Sequence, residues 1–238
     1  MSGLANSDWT WTVRLSDFDN DGKVDVFFTN GMAVNLNRAD SPELSKVFPG
    51  ETEWDKHQRA KTGPLKEQNL AFKNLGKLKF EDVSKAWGLD HVGMSYASTA
   101  ADLDRDGDLE IITANLDEEV SIYQNNSTDK NKILVELVGT LSNPNGIGST
   151  IRIIVGKSKQ SRYVTLSRGY MSSGEAISHF GLGTEEKINE LSVQWPSGHV
   201  QSFKDLDTNQ FYTITEPGKE VQSIPKPETK KLFTPLKS

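Results

Sequence analysis

The sequence has no cysteine, no long apolar run and no basic stripe outside its C-terminal tail, and each absence excludes a class of protein. Without cysteine there are no disulfides and no thiol chemistry. No apolar run approaches the roughly 20 residues of a membrane-spanning helix, so membrane insertion is not expected. The missing basic stripe disfavours a nucleic-acid partner. The first residues combine neither a basic start nor an apolar core, which predicts no signal peptide.

The acidic residues are concentrated in two short stretches that share one pattern. The first acidic loop, DFDNDGKVD, runs over residues 17–25, and the second acidic loop, DLDRDGDLE, runs over residues 102–110. Together they hold nine acids and two bases, a charge of −7, so the rest of the 238-residue chain carries about +1 of the net charge of −6. Carboxylates this close repel one another unless a cation neutralises them.

The pattern predicts one calcium ion in each loop. Carboxylates at alternating positions of a tight loop face inward, and Gly22 and Gly107 permit the turn that brings them together. Calcium takes roughly six to eight hard oxygen ligands in a flexible cage. The expected ligands are the side chains of Asp17, Asp19, Asp21 and Asp25 with the Lys23 carbonyl, and the side chains of Asp102, Asp104, Asp106 and Glu110 with the Asp108 carbonyl.

These loops do not fit the EF-hand pattern. An EF-hand needs a glutamate at the twelfth loop position and a helix on each side, whereas that position is Phe28 in one loop and Thr113 in the other. The flanking residues are rich in strand formers, so calcium loops between strands are expected. The alternative is a pair of solvated acidic turns without metal, although two copies with matching flanks favour metal binding.

The loops fall within two β-rich repeats. Each repeat reads as strand, acidic loop, strand and further strand, with a hairpin at residues 70–83 and a weaker echo at residues 120–126. An insertion at about residues 32–68 is expected to hold one or two short helices. Repeated β units of this kind are typical of propeller blades. We therefore assign residues 1–130 to a partial propeller.

A second β domain is predicted at residues 131–216, folded as a small sandwich or barrel. The fold class is therefore mainly β throughout. Residues 217–238 are rich in proline and lysine and are expected to be disordered. The candidate strands of the second domain are Ile133–Val138, Thr150–Val155, Arg162–Leu166, Leu191–Trp195, Val200–Phe203 and Phe211–Thr215.

The densest polar segment lies at residues 168–183 and contains a serine, a glutamate and His179. No G-x-S-x-G elbow accompanies them, and their spacing does not place a nucleophile against a base. We expect a loop of glycine-rich turns with one hydrogen-bonded histidine. Arg168, Tyr170 and Glu175 are candidates for a ligand patch, because an arginine fork beside an aromatic face suits carboxylate or sugar recognition.

Several segments resemble known families. SDFDNDGKVDVFFTNG, LAFKNLGKLKFEDVSKAWGL and ADLDRDGDLEIITANL resemble FG-GAP/VCBS-type repeats, the calcium-loop blades of β-propellers. NPNGIGSTIRI, SRGYMSSGEAISHFGLG and ELSVQWPSG resemble the ASPIC/UnbV domain. This pairing is typical of the cartilage acidic protein family and its large bacterial relatives, and it covers about residues 9–215.

The resemblance implies a calcium-binding, non-catalytic interaction or adhesion module that recognises a protein or polysaccharide. It also implies an extracellular, cell-surface or periplasmic location. Two repeats cannot close a propeller of about four or more blades. We therefore expect the C-terminal part of a larger architecture with missing blades, or a short protein that completes its sheet with a partner, as an oligomer, or with its own ASPIC/UnbV-type domain. The alternative function is a carbohydrate-active enzyme, or its accessory domain, that uses residues 168–183.

Overall fold

The computed structural model of the protein describes residues 2–4, 7–33, 64–127 and 129–218. Within these ranges the chain forms sixteen strands and no helix, which confirms the mainly β class, and none of its sheets closes on itself. No described segment forms a helix able to cross a membrane. The helices expected in the insertion fall largely on residues 34–63, outside the described residues, as does most of the expected disordered tail.

Nine strands of the described residues precede residue 130 and build the two repeats. The first repeat is a four-stranded antiparallel sheet in the order β1-β2-β4-β5, the second is a three-stranded sheet in the order β7-β8-β9, and β3 pairs with β6. The strands are β1 (Thr10–Ser16), β2 (Asp25–Asn30), β3 (Glu67–Gln68), β4 (Leu70–Gly76), β5 (Lys79–Asp82), β6 (Val92–Gly93), β7 (Ser95–Ala101), β8 (Glu110–Asn115) and β9 (Ser121–Tyr123).

Strand β2 is buried over its whole length because apolar side chains cover both of its faces. Phe27 packs on one face with residues of the second repeat, including Ala100 and Ile111. Val26 and Phe28 pack on the other face with residues of β4 and β5. A strand covered on both sides reads as a continuous apolar run rather than an alternating one, which explains the Val-Phe-Phe sequence after the first acidic loop.

The remaining seven strands form two sheets packed face to face, as in a sandwich. One sheet has the order β13-β10-β16, with β10 and β16 parallel, and the other has the order β12-β11-β14-β15. Both sheets contribute to one apolar core that includes Ile133, Ile151, Phe180 and Leu191. The strands are β10 (Asn131–Val138), β11 (Thr150–Val155), β12 (Ser158–Tyr163), β13 (Ile177–Gly183), β14 (Lys187–Gln194), β15 (Val200–Asp207) and β16 (Gln210–Thr215).

Two expectations for this domain are wrong. The predicted strand at residues 162–166 lies earlier, at β12, because a two-residue turn pairs Val155 directly with Ser158. The predicted loop at residues 168–183 ends in strand β13, which pairs with β10. Its core residues, Phe180 and Leu182, are too few among polar residues and glycines to show a strand period in the sequence. Long-range pairing decides the conformation there.

Candidate metal centres

The two acidic loops have the same backbone conformation and occupy the same place in their sheets. The first joins β1 to β2, and the second joins β7 to β8. The fourth and sixth loop positions are left-handed in both, with φ of 58° at Asn20 and 85° at Gly22, and 62° at Arg105 and 93° at Gly107. The glycines were expected to permit this turn, because only glycine adopts such a φ at little cost.

The first carboxylate of each loop closes the turn in the same way. Asp17 Oδ2 accepts a hydrogen bond from the Gly22 N–H at 2.9 Å, and Asp102 Oδ2 accepts one from the Gly107 N–H at 3.1 Å. These bonds hold the side chain of position 1 inside the loop. Main-chain hydrogen bonds therefore hold Asp17 and Asp102 in the inward orientation that the alternating carboxylates predicted.

The ninth position of the first loop is a buried carboxylate with two main-chain donors. Asp25 Oδ2 accepts from the Phe18 N–H at 3.0 Å, and Asp25 Oδ1 accepts from the Asn74 N–H at 2.8 Å. The Asn74 side chain donates in turn to the Val24 carbonyl at 2.8 Å. The third strand of the repeat thus fastens the end of the loop.

The second loop is fastened by the equivalent residues. Glu110 accepts from the Leu103 N–H at 2.8 Å and from the Asn125 N–H at 3.3 Å, and Asn125 Nδ2 donates to the Leu109 carbonyl at 3.3 Å. Asn74 and Asn125 were not among the predicted site residues. The signal that could have found them is an asparagine near the end of the third strand segment of each repeat, inside β4 at Asn74 and just after β9 at Asn125.

The carboxylates of each loop converge closely enough to share one cation. One oxygen from each of the first three acids lies within 4.8 Å of the others, both for Asp17, Asp19 and Asp21 and for Asp102, Asp104 and Asp106. In the second loop, Asp102 Oδ1 is buried and has no hydrogen-bond partner. A buried carboxylate oxygen without a donor is costly, and a cation would satisfy it. The residues therefore fit a calcium ion.

Burial makes the first loop costly when no ion is bound. Burial raises the pKa of Asp17 to about 7, and the neighbouring charge of Asp25 adds to the effect. Burial also raises the pKa of Asp25 to about 6. Both residues are almost fully inaccessible to solvent. The physical cause is that buried carboxylates lose hydration and face like charges.

The two loops differ in how their third position is neutralised. Asp19 Oδ2 accepts from Lys73 Nζ at 2.5 Å and Lys130 Nζ at 2.9 Å. Burial alone would raise the pKa of Asp19, but these two hydrogen bonds lower it. The equivalent Asp104 is exposed and accepts a 3.3 Å bond from the neutral Gln124 amide and a 3.4 Å bond from the Asp106 N–H, and no lysine of the described residues pairs with it. A cation bound through Asp19 Oδ2 would therefore compete with two lysines in the first loop, whereas a cation at Asp104 would not.

Lys23 and Asp108, expected to offer main-chain carbonyls, use their side chains elsewhere. Lys23 Nζ pairs with Asp21 Oδ2 at 2.7 Å. Asp108 is fully buried, and its Oδ1 accepts from Lys132 Nζ at 2.5 Å and from Asn20 Nδ2 at 2.7 Å. Both side chains thus point to other partners and leave the carbonyl as the group available to an ion.

The segment at residues 168–183 separates the residues of the expected ligand patch. The Tyr170 ring packs on Trp11, with ring centroids 4.8 Å apart, whereas Arg168 and Glu175 line a cavity between the two halves of the chain. Glu175 accepts a 3.2 Å bond from the Asp102 N–H. The structure thus places Arg168 and Glu175 together and Tyr170 in an aromatic cluster.

His179 is not the hydrogen-bonded histidine that was expected. It is buried, and neither ring nitrogen has a hydrogen-bond partner among the residues that the structure describes. Burial lowers its pKa to about 3, helped by the charges of Arg162 and Lys132, while a contact with the Gly107 backbone opposes the shift. The ring is therefore neutral at physiological pH.

The comparison with protein families matches the second half of the chain. Residues 139–221 match the family model described as ASPIC and UnbV. Cartilage acidic protein 1 of Mus musculus is 25% identical over 209 residues, which cover 86% of this chain and 28% of that protein. The Xenopus tropicalis protein of the same name is 25% identical over 222 residues, which cover 91% of this chain and 30% of that protein. The chain thus spans less than a third of the length of these curated relatives.

Proposed function

We propose that this chain is an extracellular, non-catalytic interaction module in which each acidic loop binds one calcium ion. The observation that carries the proposal is the equivalence of the two loops. They have the same left-handed positions, the same fastening of positions 1 and 9, and three convergent carboxylates each. Flexible cages of carboxylate oxygens are the sites that calcium prefers.

The neighbouring domain and the relatives support the location and the class. The ASPIC and UnbV match covers β11 to β16 of the sandwich, and the relatives are named for cartilage, a tissue rich in extracellular matrix. The acidic loops lie in antiparallel sheets of four and three strands, and the resemblance of their sequences to FG-GAP/VCBS-type repeats supports the proposal that these sheets are propeller blades. On this proposal the chain contributes two blades and the sandwich to a larger protein, and the module recognises a protein or polysaccharide.

Calcium would stabilise the contact between the blades and the sandwich. The Asn20 carbonyl in the first loop accepts a 2.8 Å hydrogen bond from the Gly183 N–H at the end of β13. An ion in this loop would hold Asn20 and its neighbours in the conformation that docks the sandwich. Since only the folded loop presents all its ligands at once, calcium binding adds to the folding free energy.

The alternative of an enzyme that uses residues 168–183 has less support. His179 has a pKa of about 3 and no hydrogen-bond partner, which makes it a poor proton acceptor near neutral pH. The hydroxyl of Ser172 donates to the Tyr170 carbonyl at 2.7 Å and so is not oriented by a base. These features favour a structural role for the segment.

Thermal unfolding with calcium, with magnesium and with a chelator tests the proposal. Calcium at about 100 times its Kd would add about 2.7 kcal/mol to the free energy of unfolding for each loop that it occupies. Magnesium should add much less, because it demands a tighter octahedral site. Asp17→Asn should raise the melting temperature of the calcium-free protein and reduce the calcium-induced increase. Asp117→Asn, at an exposed turn, is the matched control. Identical melting with calcium and chelator would refute the calcium sites.

A further inference from the structure

A small cavity lies where the blades meet the sandwich, and arginines dominate its charged lining. Its volume is about 70 Å³, and Arg14 from β1, Arg162 from β12 and Arg168 line it. Two acids, Asp17 and Glu175, reach the same space. None of the three arginines forms a salt bridge with a carboxylate among the described residues. Three guanidinium groups this close to one another are costly without an anion.

Arg14 is buried at the floor of the cavity with one donor unused. Only 4% of the residue is exposed. Its Nη2 donates to Thr99 Oγ1 at 2.9 Å and to the Ala100 carbonyl at 3.3 Å, and its Nη1 donates to the Arg168 carbonyl at 3.3 Å. Its Nε–H is buried and has no acceptor within the described part of the chain. An unsatisfied donor on a buried charge is a strong indication that a partner is missing.

Arg168 is held over the same cavity by its own neighbours. Its Nε donates to the Thr165 carbonyl at 3.3 Å, and its Nη2 donates to the Tyr163 carbonyl at 2.8 Å. Within the described part of the chain its Nη1 has no hydrogen bond of this kind, so one side of the fork is available. Burial, together with the nearby charge of Arg168, lowers the pKa of Arg14 to about 10.

Neither of the two acids forms a salt bridge with an arginine of this cluster among the described residues. The Glu175 carboxylate accepts the Asp102 N–H at 3.2 Å, and its pKa is raised by burial and by the charge of Asp102. Asp17 offsets the charge of Arg162, but in the calcium-bound loop Asp17 would be a ligand of the ion. The engagement of Asp17 by calcium rests on the proposed function. The unused donors of Arg14 and Arg168 are independent of it.

We propose that this cavity binds one small oxyanion, a carboxylate or sulfate group, between Arg14 and Arg168. Arg14 Nε and Arg168 Nη1 are the unused donors, so the anion would accept one charge-assisted hydrogen bond from each arginine. A site between two packed units is a common location for a ligand. The volume admits one such group. An acidic polysaccharide or a small acid could supply it, since both carry the same chemistry.

Calorimetric titration of the full chain with acetate and with sulfate, at constant ionic strength, tests the site. We expect saturable binding of at least one anion, weakened at least tenfold by Arg168→Gln and to a lesser extent by Arg168→Lys. Arg152→Gln is the matched control, because Arg152 is an exposed arginine on β11 that does not line the cavity. Absence of saturable binding of both anions, or an equal loss in Arg152→Gln, would overturn the inference.

Two further measurements keep the result interpretable. If Arg168→Gln fails to fold, wild-type crystals soaked in bromide should show an anomalous peak between Arg14 and Arg168, and the absence of a peak counts against the site. The titrations are repeated on metal-free protein prepared by dialysis. Anion binding that persists where calcium does not bind refutes the calcium proposal alone, whereas calcium binding without anion binding refutes this inference alone.

Discussion

Asn20 Nδ2 donates a 2.7 Å hydrogen bond to Asp108 Oδ1 and so joins the two acidic loops across 88 positions of sequence. Asp108 is fully buried, and Lys132 Nζ provides its other partner at 2.5 Å. The loops belong to different sheets, yet they share this polar contact. A substitution that alters the conformation of one loop is therefore expected to alter the conformation of the other.

Asn20→Gly should destabilise the protein more than the same change in the second loop. Glycine tolerates the left-handed φ of 58°, so the main loss is the amide donor to a buried carboxylate, worth about 1–3 kcal/mol. Arg105 occupies the equivalent position of the second loop but is exposed. Arg105→Gly therefore carries the same backbone entropy cost without the loss of a buried hydrogen bond. Urea unfolding of both variants measures the difference, and equal effects would show that the contact adds no stability.

Gly181→Ala should separate the sandwich from the first acidic loop. A Cβ atom at this position would lie 2.1 Å from Asp17 Oδ2 and 2.5 Å from Asn20 Cα, so β13 must shift. We expect a loss of about 2 kcal/mol or more and weaker calcium binding in the first loop. In Gly183→Ala the new Cβ atom would meet no atom within 4 Å. The only expected cost is about 1 kcal/mol of backbone strain at the left-handed φ of 61°. Unchanged calcium affinity in Gly181→Ala would contradict the proposed contact between loop and sandwich.

The pH dependence of stability should reverse when calcium is added. Because the pKa of Asp17 is raised to about 7 and that of Asp25 to about 6, the folded calcium-free protein binds more protons than the unfolded chain between about pH 4 and pH 7. Its free energy of unfolding should therefore rise as pH falls through this range, by about 2 kcal/mol or more. With saturating calcium it should fall, because protons then compete with the ion.

Denaturant unfolding at several pH values, in dialysed and in calcium-loaded protein, measures both slopes. Asp17→Asn removes the larger of the two shifts and should flatten the calcium-free slope. A calcium-free slope of the opposite sign would show that the two carboxylates are not destabilised by burial.

Glu216→Gln should be among the most damaging single changes in the sandwich. The buried carboxylate accepts hydrogen bonds from the N–H groups of Thr140, Leu141 and Ser142 and from the hydroxyls of Ser142 and Ser197. Burial alone would raise its pKa, but the bonds from Ser197, Ser142 and Leu141 lower it to about 2. The stabilisation is therefore present above about pH 4.5 and lost as pH falls to about 2.

An amide in place of this carboxylate would set its own N–H donors against main-chain N–H groups, which we expect to cost about 2–4 kcal/mol. Glu190→Gln is the control, since Glu190 accepts a single hydrogen bond, from Ser202, at the surface. Chemical unfolding at neutral pH compares the two variants. A loss of less than 1 kcal/mol in Glu216→Gln would contradict this role.

The sequence predicts the conformation of the two acidic loops, but it does not predict which distant residues contact them. Carboxylate spacing and glycine placed Asp17 and Asp102 inside tight loops, and alternation gave the bounds of β11 (Thr150–Val155). The partners of Asp19, by contrast, come from positions 73 and 130, and nothing near the loop in sequence indicates them. Pairing with β10 likewise makes β13 a strand, although its glycines and polar residues indicate a loop.

Calorimetric titration of the metal-free protein with calcium tests the central claim most directly. The wild type should bind two calcium ions, whereas Asp19→Ala and Asp104→Ala should each remove one. The second loop is expected to bind without displacing lysines, so the two sites should differ in enthalpy. If the wild type releases no heat and binds no calcium at millimolar concentration, or if both variants still bind two ions, the acidic loops are not calcium sites.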